Sequence, residues 1–286
     1  MPFGVDLLLP QVGGNARKTN YDYTGGHLPE LIDIIIESGA KLFISAVGVP
    51  PKEIVDKLHS AKIIVANIIG HPKHAEKALK LGVDLIIVQG GEAGGHTGDI
   101  PFSVLVPRVV DIVRKGGYKS PLTGKPVLIV AAGGVWNGRS LAAALAYGAS
   151  GVWVGTRFVA SVESGAPKKH KEAVLTSTHE TDVRTIIFTG RPLRLRNTPY
   201  IQAWEDKQDE IKKLTSKGVI PVYQDLENDK DGSIEEKVRD RYLMGKAAAV
   251  IEDILPAKQI IDEMVSEAEQ AIRSNESLLV GSQARL

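Results

Sequence analysis

The sequence of 286 residues contains no cysteine. Disulfides, thiolate metal sites and a cysteine nucleophile are therefore excluded. No apolar run approaches the roughly 20 residues of a membrane-spanning helix. The start, Met1-Pro2-Phe3, has no basic region and leads straight into a strand-like run, unlike a signal peptide. Charge of either sign is not in excess, since 35 Lys and Arg stand against 34 Asp and Glu. That balance gives no electrostatic reason to expect nucleic acid or a membrane as partner. A cytoplasmic location is expected. The closing Ala284-Arg285-Leu286 has the small-basic-Leu form of a peroxisomal address, and equally that of an ordinary tail.

What is present is a regular alternation. Strand-like runs at 3–9, 41–47, 63–69, 85–89, 127–131 and 151–155 alternate with helical periodicity at 29–38, 51–59, 72–81, 102–114 and 138–147. This is the spacing of βαβ units and predicts a parallel sheet. A closed (β/α)8 barrel needs eight strands. Either the sheet is open and doubly wound, or two βα units are missing from the front. The polar loop 10–28 is longer than a simple connection requires, which marks it as functional. Past Arg157 the pattern changes: 158–200 mixes loop and helix, with a turn at Thr189-Gly190-Arg191-Pro192, and 205–243 is rich in charge, as in a solvated helix and its loops. Two amphipathic helices, 247–255 and 257–273, are expected on either side of Pro256. The resulting division is 1–160 for a partial barrel, 161–245 for a helical and loop insertion, and 246–286 for C-terminal helices packing back on the barrel.

Chemistry concentrates after the fourth strand. Residues 85–88 (Leu-Ile-Ile-Val) suit a strand buried on both faces, and Gln89 ends it. Gly90, Gly91, Gly94, Gly95 and Gly98 crowd the loop that follows, where missing side chains let a planar ligand approach. His96 is the one side chain there that exchanges a proton near neutral pH. Catalytic groups of α/β enzymes sit in such loops, at the carboxyl ends of parallel strands. A turn whose histidine only caps or faces solvent explains the same residues.

Residues 127–158 run strand, Ala132-Gly133-Gly134, helix with Asn137 at its N-cap, Gly148, strand, Gly155-Thr156-Arg157. In α/β barrels the turns after the last two strands cradle a phosphate with backbone N–H groups and a helix N-terminus. Two glycine turns at consecutive strand ends point to that cradle, with plain tight turns as the alternative. Arg157 either neutralises the phosphate or pairs with a carboxylate. A ligand phosphorylated at one end and reaching the His96 loop is long and partly flat, and flavin mononucleotide (FMN) meets that description.

Residues 89–96 (Gln-Gly-Gly-Glu-Ala-Gly-Gly-His), 131–134 (Ala-Ala-Gly-Gly) and 155–158 (Gly-Thr-Arg-Phe) resemble the nitronate monooxygenases, formerly 2-nitropropane dioxygenases, in order and spacing. Residues 3–7 resemble the third barrel strand of that family, and Met244-Gly245 its C-terminal end. The resemblance implies an FMN-dependent (β/α)8 TIM barrel that oxidises alkyl nitronates with O2 to carbonyl compounds and nitrite. By the same resemblance His96 is the base toward neutral nitroalkanes, Gln89 and Gly94 line the isoalloxazine, and Gly133, Gly134, Gly155 and Thr156 hold the phosphate. Asp6 stands where the family has an Asn that hydrogen-bonds the flavin, and a carboxylate donates there only when protonated. The first two strands of the family have no counterpart, so a shortened chain with two exposed apolar strand edges is expected. The small-molecule partners implied are a nitronate or nitroalkane and O2. A flavin-dependent NAD(P)H reductase acting on quinones or enoyl thioesters shares these motifs. A non-catalytic barrel remnant that holds no flavin is the remaining alternative.

Other residues carry weaker signals. His71 and His74 have a spacing that can bind metal but also suit a helix start. Tyr200 and Trp204 either wall a pocket or pack in a core. Arg191, Arg194 and Arg196 either steer an anionic substrate or face solvent.

Overall fold

The computed structural model describes residues 1–276. The alternating half of the chain runs β1 (Gly4–Leu8), α1 (Leu28–Glu37), β2 (Leu42–Ala46), α2 (Lys52–Ser60), β3 (Ile64–Ile69), α3 (Pro72–Leu81), β4 (Leu85–Gln89), β5 (Gly95–His96), α4 (Phe102–Gly116), β6 (Leu128–Ala132), α5 (Gly138–Ala146) and β7 (Gly151–Trp153). It continues through α6 (Thr156–Val159), α7 (Lys168–Leu175), β8 (Asp182–Thr185), β9 (Leu193–Arg196), α8 (Pro199–Glu205), α9 (Gln208–Ser216), α10 (Pro221–Asn228), α11 (Ser233–Arg239), a 3-10 turn at Lys246–Val250, and α12 (Ala257–Glu276). No helix among the described residues is long and apolar enough to cross a membrane.

Local chemistry accounts for the element ends. His71 caps α3 by accepting the Lys73 N–H on Nδ1 at 3.2 Å, and Gly82 closes the helix with φ of 88°. The helix-start reading of His71 is therefore the one realised.

Six strands form one all-parallel sheet in the order β1-β2-β3-β4-β6-β7. The order follows the chain and never reverses, so there is no switch point of the doubly wound kind. The two sheet faces agree. Phe43, Val65, Ile86 and Ile129 point outward into a core shared with Ile32, Leu58 and Val109 of the helices. Ile44, Ala66, Ile87 and Ala132 pack among themselves and sheet neighbours on the opposite face, without helices. Helices on one face and strands added in sequence are the singly wound pattern of the TIM-barrel type. β1 and β7 are the outer strands, and Leu128 and Trp153 on the helix-free face are 51% and 43% exposed.

A buried carboxylate pins the amino-terminal rim of the sheet. Asp84 accepts from Val65 N at 2.8 Å and from the Ser120 hydroxyl at 2.5 Å, and meets His59 Nε2 at 2.8 Å. Asp84→Ala leaves three polar groups without their acceptor, so unfolding free energy is expected to fall by about 3 kcal/mol. A denaturant titration measures it, and a loss under 1 kcal/mol contradicts the assignment.

The second half departs from expectation in two places. Residues 182–196 form a hairpin whose strand β9 pairs antiparallel with β5, giving the three-stranded sheet β5-β9-β8 where loop and helix were expected. The predicted helix over 247–255 is only the 3-10 turn: Pro256 removes a donor at its end, and Glu252 and Asp253 lie outside any helix or strand. Tyr200 and Trp204 are core residues around Asp225, whose carboxylate accepts from both at 2.7 and 2.8 Å. Helix α12 packs against α5, with Glu267 accepting from Gly138 N at 2.7 Å. Ala284-Arg285-Leu286 lies outside the described residues.

Candidate active site

Because the six strands are parallel, their carboxyl ends share one rim, and the loop after β4 crosses it. Backbone contacts hold that loop at several points. Gly90 N donates to Ala132 O at 2.9 Å, Gly91 N to Ile100 O at 2.8 Å, and Lys246 N to Glu92 O at 2.9 Å. The Glu92 carboxylate accepts from Phe102 N at the start of α4. Buried Arg194, paired with Asp182, donates to Gly91 O at 3.1 and 3.3 Å. Arg194 thus braces the loop rather than steering a substrate. Arg196 is also engaged, donating to Ala173 O at 2.9 Å.

His96 is fixed by the pairing of β5 with β9, opposite Leu193. Its Nε2 lies 3.0 Å from Thr189 Oγ1. That oxygen also accepts from Arg191 N at 3.3 Å and reaches Arg191 O at 3.3 Å. The hydroxyl has one proton, and the carbonyl can only accept. The network is satisfied throughout when His96 Nε2–H donates to Thr189, whose O–H donates to Arg191 O. The Nδ1 lone pair is then free, and no hydrogen bond to Nδ1 is found among the described residues. Burial, with a smaller contribution from the Arg191 charge, pushes the imidazole pKa below its ordinary 6.5. Both favour a neutral ring with one available lone pair, which is the state of a base.

The two glycine turns are neighbours, since Ala132 of β6 pairs with Trp153 of β7. Gly133 and Gly134 hold φ of 82° and 80°, the left-handed region that suits glycine. Among the described residues no acceptor is found for the N–H groups of Gly133, Gly134, Gly155 and Thr156. A Cβ at Gly155 would enter open space. Unpaired amides beside open space are what an oxyanion needs. Thr156 Oγ1 accepts from Gly245 N at 2.9 Å, which leaves its own proton available. A Cβ at Gly94 would fall 2.5 Å from the Met244 carbonyl carbon, so this glycine is needed where Met244-Gly245 crosses the His96 loop.

Some expected parts sit elsewhere. The first turn of α5 is capped by Asn137 and by the Glu267 carboxylate, so the N–H groups of Ser140 and Gly138 are already spent. Arg157 is turned away, donating to Asp253 Oδ1 at 2.6 Å and to Asp253 O at 2.9 Å. Gln89 ends β4 opposite Ala132, and no hydrogen bond to its amide is found among the described residues. Asp6 lies mid-strand in β1, opposite Ile44 and three strands from β4. Desolvation raises its pKa, the direction that favours a protonated, donating carboxyl. Thr189 was not anticipated as the partner of His96. The Thr-Gly-Arg-Pro turn was legible, but not the chain path that carries it 93 residues back.

A family model for nitronate monooxygenase matches residues 2–267. The chain belongs to the nitronate monooxygenase family. It is 34% identical over 246 residues to a Mycobacterium tuberculosis protein named as a monooxygenase, covering 85% of this chain and 62% of that one. An octahydroindene-carboxyl-CoA dehydrogenase of Rhodococcus jostii is 38% identical over 177 residues, covering 62% of this chain and 46% of that one. The chain therefore spans about half to three-fifths of the length of these relatives. FabK from Thermotoga maritima matches with a TM-score of 0.75 at 26% identity, over 97% of this chain and 79% of its own. A nitroalkane oxidase from Streptomyces ansochromogenes shares the fold, with a TM-score of 0.75 at 23% identity over 96% of this chain and 82% of its own.

Proposed function

We propose that this family member is an FMN-dependent oxidoreductase that converts alkyl nitronates and O2 to carbonyl compounds and nitrite, with His96 as base toward neutral nitroalkanes. The observation that carries this reading is the Thr189-anchored imidazole with a free Nδ1, on a loop tied through Gly245 to the glycine turns. The amides of Gly133, Gly134, Gly155 and Thr156 hold the FMN phosphate. Gln89 and Gly94 border the ring, and Asp6 offers it a carboxyl in place of an amide. Bound flavin supplies the electron acceptor and the reactivity toward O2. His96 Nδ1 takes the α-proton of the nitroalkane, and Thr189 holds the ring while it becomes cationic.

In the same reading, 1–160 is the barrel portion with the FMN site, 161–245 the substrate-side insertion, and 246–286 the C-terminal segment, whose described part, to residue 276, packs back on the barrel. The open edges of β1 and β7 support a barrel completed by two further βα units.

The test is nitrite release from a nitronate by the FMN-loaded protein in air. Flavin bleached promptly by NAD(P)H, without nitrite from nitronates, favours the second reading, a thioester reductase. That reading is supported by the identity to the octahydroindene-carboxyl-CoA dehydrogenase. A colourless protein that takes up no FMN contradicts both. For neutral nitroalkanes, kcat/KM is expected to rise with pH along a limb whose pKa lies below 6.5, because the lowered pKa keeps His96 unprotonated to lower pH. A limb above 6.5 contradicts His96 as the base. Thr189→Val is expected to lower kcat about tenfold with the fold intact, the value of one orienting hydrogen bond; steady-state kinetics and circular dichroism together check it.

A further inference from the structure

A half-buried guanidinium at the rim is oriented but not neutralised. Arg191 Nε donates to Asn20 Oδ1 at 3.0 Å, and Nη1 to Val47 O at 3.2 Å. Both acceptors are uncharged, and no carboxylate pairs with Arg191 among the described residues. Arg157, Arg184 and Arg194 each have an aspartate, at Asp253, Asp99 and Asp182. Withdrawing a cation from water without an anion is costly, so a guanidinium held by neutral acceptors keeps its charge for a ligand. Val47, which supplies one acceptor, holds φ of 68°, rare for a β-branched residue and typical of strain kept at functional sites.

Other cations share this side of the rim. Asn20, which accepts from Arg191 Nε, donates its own N–H to Arg17 O at 3.0 Å, so one turn carries both the acceptor and a second cation. Burial and the charge of Arg17 lower the Arg191 pKa, and burial first, then Lys73, His71 and Lys77, and last Arg191 lower that of His74. Three elements thus bring positive charge together: the loop before α1, the start of α3 and the turn before β9. Glu76 is the one carboxylate on that stretch of α3.

Position decides which anion is meant. Val47 and His71 follow β2 and β3, on one side of β4, while the glycine turns follow β6 and β7 on the other. The His96 loop lies between. A phosphate gripped by the glycine turns is therefore not the one facing Arg191. We propose that Arg191, with Arg17 and the start of α3, forms a second anion subsite that takes a phosphate group of the organic substrate. Convergent cations suit a multiply charged oxyanion better than a single carboxylate. The substrate is accordingly a phosphorylated molecule whose reacting carbon reaches His96 while its phosphate stays at the β2–β3 side. This rests on the reading of the glycine turns as the FMN phosphate site.

The probe is inorganic pyrophosphate, titrated calorimetrically into the protein with saturating FMN present. Binding is expected to persist under FMN, to weaken about tenfold in Arg191→Gln, and to weaken about threefold in Arg17→Gln, an exposed position where folding is not at stake. Pyrophosphate that FMN displaces, that does not bind, or that binds equally to both variants overturns the subsite. Should Arg191→Gln fail to fold, the Arg17→Gln titration decides alone. Failure of FMN itself to bind sinks the reading of the glycine turns, and the dependence of pyrophosphate on the two arginines still decides the subsite.

Discussion

His96→Asn is expected to lower turnover of neutral nitroalkanes by about 10²- to 10⁴-fold, the usual value of a positioned general base. Pre-formed nitronates have already lost that proton, so most activity on them should survive. The contrast between the two substrates is the informative quantity. An asparagine keeps a polar side chain opposite Thr189 without a titrating lone pair, so Thr189 retains a partner. Equal loss on both substrates would mean that the imidazole positions the ligand or the loop and is not the proton acceptor. The proton has one place to go on the ring, because Nε2 is committed to Thr189 and through it to Arg191 O.

Gly134→Val is expected to release flavin. Valine at φ of 80° costs about 1–3 kcal/mol in backbone strain, and relaxing it turns the neighbouring amides away from a shared anion. The protein should purify without its visible absorbance and regain little of it on adding FMN. Full occupancy argues against these turns as the phosphate site. Gly155→Ala separates the ligand from the fold. A methyl group there meets no protein atom within 4 Å, so the unfolding midpoint should hold while FMN affinity falls at least about tenfold. An unchanged affinity contradicts the cradle as directly as retention in the valine variant does.

Much of the first half was legible because its signals are local. Pro72 opening a helix and Gly82 closing it place α3 within ten residues, and a β-branched run bounded by glycines places β4. The hairpin β8–β9 was harder. Leu193-Arg194-Leu195-Arg196 alternates as a strand does, but its arginines suggest solvent until Asp182 and Gly91 are seen to take Arg194. The three arginines at 191, 194 and 196 look alike in sequence and do three different things. Arg194 braces the loop, Arg196 binds carbonyl and hydroxyl oxygens near α7, and Arg191 keeps an unneutralised charge.

Periodicity, glycine placement and capping residues were enough for the βα order and for placing His96 and the paired glycine turns after the carboxyl ends of parallel strands, because each depends on contacts a few residues apart. Whether the sheet winds singly or doubly, what each arginine meets and which imidazole nitrogen is free all turn on partners that sit up to 171 residues away in the chain. Such pairings follow from the path of the folded chain, which spacing along a strand or helix does not encode.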